Sequence, residues 1–311
     1  MPDGAMTSRT PEVVARQRRF DMLALGVAVL GISSSGPLVV AFTGPVLPIA
    51  FWRTCLGALA TAPFAWRHRH ALRALSRREL ALMVLSGLFL GAHFATWIPS
   101  LRYTSIAASI AIAATQVVWA GLFAYLAGHR ASAREWVGII IAVVGVTVLT
   151  GLDFGLDPRS LIGDALALAA ALLAAAYMQV GQHVRAKVPV TAYTTIVYAS
   201  SAVSLLVFLT ATGQNLTNLP ARNWWIIIGI TAFAQLGGHS LMNQALRSFS
   251  AATVSLAVLL EVPGATLMGW VWPGQTPPLQ VLPAGLIILL GTAIVLRAGR
   301  ASAEAPLPLG D

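Results

Sequence analysis

Charge is scarce in this sequence. Asp, Glu, Lys and Arg together make up 10% of its 311 residues, against about 25% in ordinary soluble domains. That shortage argues against a water-soluble globular fold. Lysine is nearly missing, with Lys187 standing alone beside Arg at every other basic position. Cysteine is reduced to Cys55, so no disulfide can form within the chain and no Cys-rich metal site can be built. There is no Walker A loop, no Rossmann glycine run and no HExxH pair. An ATP-driven pump, a dinucleotide enzyme and a zincin-type protease therefore have no basis in the sequence.

Apolar residues fill the gap, at 57% of the chain. They fall into stretches of roughly 20 residues, enough for a helix to cross about 30 Å of hydrocarbon. The pattern predicts ten spans, at 21–42, 45–66, 79–101, 105–128, 135–151, 160–184, 190–212, 222–245, 250–272 and 279–298. Lipid offers backbone groups no outside partner, so these spans must be helices. Residues 1–20, with four Arg and no apolar core, predict a cytoplasmic tail rather than a cleavable signal, and 299–311 a second tail. With the N-terminus inside, 16 of the 20 Lys and Arg fall in inner segments, three (Arg102, Arg159, Arg222) fall outside, and Arg53 lies within a span. This is the positive-inside distribution, with both termini cytoplasmic. The net charge of +9 is thus a topology signal, and no nucleic-acid partner is expected. The surplus of Arg and Ala suggests a bacterial inner (plasma) membrane.

The two halves of the chain resemble each other. "LRYTSIAASIAIAATQVVWAG" from Leu101 and "LRSFSAATVSLAVLLEVPGAT" from Leu246 align without a gap at an offset of 145, placing Gln116 on Glu261. Asp21-Met-Leu-Ala-Leu pairs with Asp164-Ala-Leu-Ala-Leu at an offset of 143. Five spans per half is an odd number, so the halves run through the membrane in opposite senses. The fold class expected is an all-α polytopic membrane protein built from two inverted five-helix repeats, 21–151 and 160–298. In such folds the substrate site lies near the midplane, between the repeats.

These segments resemble the repeated signature of the drug/metabolite transporter superfamily, in its ten-helix EamA-type branch. "GDALALAAALLAAAYM" is similar to the first helix of the second copy, and "FWRT" at 51–54 to the second helix of the first. Where the family usually carries Gly-Glu at the exits of helices four and nine, this chain reads Gly128-His129 and Gly274-Gln275. The usual proline of helix four is replaced by Val117-Val118, whereas helix nine keeps Pro263. The resemblance implies solute transport, commonly export of amino acids or related metabolites, without cofactor or catalytic residues.

Polar residues deep in spans carry the rest. Glu261 falls at mid-membrane, where an ionised side chain costs on the order of 3 kcal/mol. Either it serves substrate or coupling, or it is neutral and hydrogen-bonds a neighbouring helix for about 0.6–2 kcal/mol. Pro263 should free the carbonyl of Leu259. Gln235, His239 and Asn243, at i, i+4 and i+8, predict one helical face lining a pathway or an interhelical seam. His93 and Trp97 share a face of span three. Ser109, Ile112, Gln116 and Trp119 form a stripe on span four, and Tyr177, Met178, Gln179 and Gln182 group on span six. Ser33-Ser34-Ser35 before Gly36-Pro37 marks an irregular point in span one. Arg53 lies about 12 Å below the outer surface at 1.5 Å per residue; it either snorkels outward or pairs with Glu261 or a substrate carboxylate. Gly87 and Gly91 form a GxxxG packing motif. His68-Arg69-His70 suits lipid head groups better than a metal.

The resulting set of pathway residues is His93, Trp97, Gln116, Trp119, Tyr177, Gln179, Gln235, His239, Asn243 and Glu261, with Glu261 and Arg53 as the coupling or charge-pairing candidates. A cavity of amides and rings with few charges suits an amino acid, aromatic ones included, exported by alternating access. The alternatives are a lipid or polyprenyl-carrier flippase and, more weakly, an intramembrane enzyme using His93, His239 and Glu261. Expected partners are the small-molecule substrate and membrane lipids, in a monomer or homodimer.

Overall fold

The computed structural model describes residues 11–271 apart from 105, 127, 129–131, 151–157 and 186, and further 283, 286, 287, 289–291, 293 and 294. His129, Gly274 and Gln275, the tail 299–311 and most of the tenth span lie outside the described residues. Among those described, every regular element is helical. Six stretches, such as Arg77–Tyr103 and Pro158–Arg185, are long and apolar enough to cross a bilayer. Shorter helices complete the bundle.

The first span begins earlier than expected. Its helix runs Pro11–Ser33, so the second half of the anticipated tail is a helical extension carrying Arg16, Arg18 and Arg19. Proline suits a helix start, because its missing N–H would be unpaired there anyway, and no breaker follows before Ser34. The chain turns at Ser34 and resumes as Ser35–Ala41. Ser33 and Ser34 donate back to the carbonyls of Val29 and Gly31, both at 2.7 Å, while Pro37 offers no donor to the Ser33 carbonyl.

Span two is Leu47–Arg67 and span three is Arg77–Tyr103, opened by a Ser76/Glu79 capping box. Span four is split into Ile106–Ala114 and Gln116–Leu126, and span five is Ala133–Thr150. Spans six and seven are Pro158–Arg185 and Val190–Ala211. Span eight has three parts: Ala221–Ile230, a π-helical stretch Thr231–Ser240, and Leu241–Ala245. Span nine is split into Ala251–Val258 and Glu261–Val271.

The packing repeats between halves. Span three lies on span six as span one lies on span eight. Span four meets span six as span nine meets span one. Spans two and seven pack against each other across the pseudo-dyad, as do spans four and nine. Exchanging each span for the one five further on leaves this pattern in place, which is the structural form of the sequence repeat. Close crossings use small residues. A Cβ on Gly87 would lie 2.5 Å from the Val197 carbonyl oxygen of span seven, and one on Gly91 would overlap Ser204. Small residues let helix backbones approach where lipid supplies no hydrophobic drive.

Candidate functional site

Arg53 does not snorkel. Its side chain is 0% exposed. Its Nε donates to Gln235 Oε1 at 2.8 Å and its Nη1 to Ser35 Oγ at 3.2 Å. The Phe94 ring lies 4.2 Å from the guanidinium carbon, a cation–π contact strengthened by exclusion of water. Span two thereby joins spans one, three and eight through one side chain. Arg53 is not ion-paired with Glu261. Among the described residues the ion pair within 4 Å is Lys187 with Glu79, at 3.7 Å.

Two histidines from pseudo-equivalent spans approach the same space. His93 Nδ1 is 2.9 Å from the Ala170 carbonyl oxygen, which makes it the protonated nitrogen if the ring is neutral. Its ring stacks on Trp97 with 6.3 Å between centroids and planes 7° apart. His239 stands edge-on to Phe94 at 5.3 Å and tilted to Tyr177 at 6.2 Å.

Spans four and nine break at matching points. In span four the Thr115 hydroxyl donates to the Ile112 carbonyl at 2.6 Å, a local side-chain bond that competes with the helix ladder. In span nine the ladder tightens through Leu259, whose carbonyl accepts from the Val262 amide at 3.2 Å. The carbonyl expected to be freed by Pro263 is therefore occupied. The second segments start at Gln116 and Glu261, so each residue sits at the N-terminus of a half-helix, where the helix dipole is positive. Discontinuous helices of this type build transporter sites at mid-membrane.

Between the halves lies a cavity lined from both repeats. Six of the expected pathway residues line it: His93, Trp97, Gln116, Tyr177, His239 and Glu261. Ser35, Phe94, Met178 and Met242 also line it, beside small and branched apolar residues, and none of the four was among the expected pathway residues. Met242 and Phe94 gave no signal, because an apolar residue in an apolar span is unremarked. Ser35 was marked, but as part of a helix irregularity. His93, His239 and Glu261 share the wall, but no cluster of three metal-ligating side chains exists among the described residues.

The other four expected residues do not line the cavity. Trp119 is half-buried one turn beyond Gln116. Gln179 is half-buried, and its Oε1 has no partner. Gln235 is turned to Arg53. The Asn243 side-chain amide donates to the Tyr177 hydroxyl, and the Asn243 backbone carbonyl accepts from Arg185 Nε at 2.8 Å. The single face expected of Gln235, His239 and Asn243 rested on α-helical periodicity. The π-helical stretch from Thr231 to Ser240 holds i→i+5 bonds, so residues four apart no longer superimpose. His239 reaches the cavity, while Gln235 and Asn243 bond neighbouring helices. Tyr198 supports the widened turn, donating to the Gln235 carbonyl at 3.2 Å and bonding Ser240 Oγ at 2.9 Å.

Toward the end of the bundle where the N-terminal helix starts, Gln244 joins three spans. Its Nε2 donates to Asp21 Oδ1 at 2.9 Å, and its Oε1 accepts from Arg185 Nη2 at 3.3 Å. Ser248 also donates to Asp21, which is wholly buried. Gln182 Oε1 accepts from the Ala251 amide at 2.6 Å and so caps span nine. Asp21 and Arg185 were read only as a repeat marker and a topology charge. Gln244, a third amide in an apolar span, is the signal that could have joined them.

An inverted-repeat helical bundle with broken helices around a central cavity is the framework of a membrane carrier. The EamA-like transporter family model matches residues 20–151 and 161–297, nearly the two repeats expected from the sequence. The chain belongs to this family, within the drug/metabolite transporter superfamily. No curated protein matches it. A solved structure titled "Crystal structure of protein" superposes with a TM-score of 0.73 and 19% identity, covering 92% of this chain and 99% of that one. At that identity the likeness speaks to the fold alone.

Proposed function

We propose that this transporter exports small amphipathic metabolites, foremost amino acids including aromatic ones, by alternating access between its two repeats. The observation that supports this most is the cavity itself. It brings Trp97, Tyr177, Phe94 and two imidazoles together with Gln116 and Glu261, which stand at the break points of spans four and nine. Rings receive an apolar side chain, and a carboxylate at mid-membrane receives an ammonium. The bias of basic residues supports both termini lying in the cytoplasm, and a bacterial inner membrane and a monomer or homodimer complete this reading.

The test is a screen in liposomes over labelled amino acids and the matching amines, with and without a pH gradient. Saturable movement of amino acids is the expected result. Movement of long-chain lipid instead, with amino acids inert, would replace this reading by a flippase. Dependence on the gradient would show coupling, and its lack would show facilitated export.

A further inference from the structure

Two buried donors at the edge of the cavity have nothing to bind. Arg53 and Gln235 hold each other through Nε and Oε1 at 2.8 Å, and both side chains are fully buried. The second guanidinium nitrogen, Arg53 Nη2, and the amide nitrogen, Gln235 Nε2, have no hydrogen-bond partner. A buried polar group without a partner is costly, more so when charged, and native structures seldom keep one without a reason. Here two donors stand on side chains already bonded to each other, and both lack an acceptor.

Their distance from the cavity is one side chain. Nη1 of Arg53 is held by Ser35 Oγ at 3.2 Å, and the Phe94 ring covers the guanidinium at 4.2 Å. Ser35 and Phe94 are themselves part of the cavity wall. On that wall stands Glu261, which forms no ion pair within 4 Å with Arg53. Arg53 thus stands directly behind two residues of the same wall that carries the Glu261 carboxylate. Arg53 Nη2 and Gln235 Nε2 can each donate to one oxygen of a carboxylate. A zwitterion would satisfy both charges and add no net charge to a region where unbalanced charge is expensive. A simple cation would meet Glu261 but leave Arg53 unmatched.

We propose that Arg53 and Gln235 form the subsite for a substrate carboxylate, reached when the Phe94 ring swings aside, with Glu261 receiving the ammonium of the same molecule. This rests on the amino-acid reading for the identity of the natural ligand, but the subsite itself can be probed with any small carboxylate. Three ligands share one ring and differ only in their charged groups: L-phenylalanine, 3-phenylpropionate and phenethylamine.

The experiment is binding of each by the purified full-length protein in detergent, by calorimetry or thermal stabilisation. Removing Arg53 risks the fold, so the deciding variant is Gln235→Glu. It keeps the acceptor for Arg53 Nε and places a resident carboxylate beside the guanidinium. Wild type should bind phenylalanine and 3-phenylpropionate. The variant should lose about tenfold or more for both, roughly 1.4 kcal/mol, and keep phenethylamine within about twofold. If the variant keeps both carboxylates, or if wild type binds neither, there is no such subsite. If the carboxylates bind and the variant loses them, yet liposomes move no amino acid, the subsite stands and the export reading falls.

Discussion

Gln116 and Glu261 occupy one position in two copies. Each is the first residue of the second segment of a broken span, and both face the central cavity. The breaks are made differently, by a threonine hydroxyl before Gln116 and with a proline two residues after Glu261. The conserved outcome is therefore the break and not the residue that causes it. Where one repeat presents an amide, the other presents a carboxylate, so a pseudo-symmetric frame holds a chemically asymmetric site.

The orientation of this frame predicts a labelling pattern. In a Cys55→Ser background, a cysteine at Arg73, exposed between spans two and three, should react only from the cytoplasmic side. One at Thr217, exposed between spans seven and eight, should react only from the outside. Both residues labelling from one face would refute the inverted repeat.

Span eight separates two residues that α-helical spacing had joined. His239 is on the cavity wall, so His239→Ala should lower transport several-fold with little change in melting temperature. Asn243 is buried against Tyr177 and Arg185. Asn243→Ala removes the partner of the Tyr177 hydroxyl, a loss of about 1–3 kcal/mol for a buried group. It should lower thermal stability first. Equal effects of the two substitutions on both readouts would contradict the π-helical rotation.

Much of this was legible in advance, for definite reasons. Span lengths follow from bilayer thickness, and the repeat follows from aligned motifs, so the frame could be read. His93 and Trp97 lie in an unbroken α-helix, and their i, i+4 spacing translated into stacked rings. The Ser33 to Ser35 irregularity was readable because proline removes a donor at a fixed offset. Span eight failed because a π-helical insertion changes the period without a side-chain signature. Its Gly237-Gly238 pair was the sole hint, and a Cβ on Gly238 would come within 2.6 Å of Ile32. The junction of Asp21 with Arg185 was not legible, because charges near a span end suit loops equally well. Only the buried Gln244 between them shows otherwise.

The Gln244 junction gives a conformational prediction. Gln244→Leu breaks one bond to Asp21 and one to Arg185, each charge-assisted and worth up to about 1.5–3 kcal/mol. Spans one, six and eight should part more readily at that end. A cysteine at Met242, on the cavity wall, should then become more accessible to a cytoplasmic reagent than in the unsubstituted Gln244 protein. Unchanged access would mean that the junction is a fixed brace and not a gate.

Glycines distinguish contact from conformation. Gly87→Ala drives a methyl into the Val197 carbonyl and should cost about 1–3 kcal/mol, as overpacking does. Gly26→Ala, also in a helix, meets nothing within 4 Å. It should be neutral or add up to about 1 kcal/mol through the lower backbone entropy of alanine. In the same detergent the melting temperature should fall for Gly87→Ala and hold or rise for Gly26→Ala. A fall of the same size in both would remove the packing explanation for Gly87.

The sharpest case is Glu261, because its twin has already made the substitution. Gln116 shows that an amide fits this layer of the fold, so Glu261→Gln should fold as wild type does. It keeps shape and hydrogen bonding and removes only the negative charge. If that carboxylate receives the substrate's ammonium or a coupling proton, the variant should lose most active transport or shift its pH dependence. Exchange of labelled for unlabelled solute would survive where only proton coupling is lost. If Glu261 is instead a neutral link between helices, Glu261→Gln should be nearly silent, while Glu261→Leu should lower stability by about 0.6–2 kcal/mol. Transport measured from about pH 5.5 to 8.5, a range spanning histidine titration as well, separates these outcomes. A rate and profile unchanged by Glu261→Gln would remove Glu261 from the mechanism.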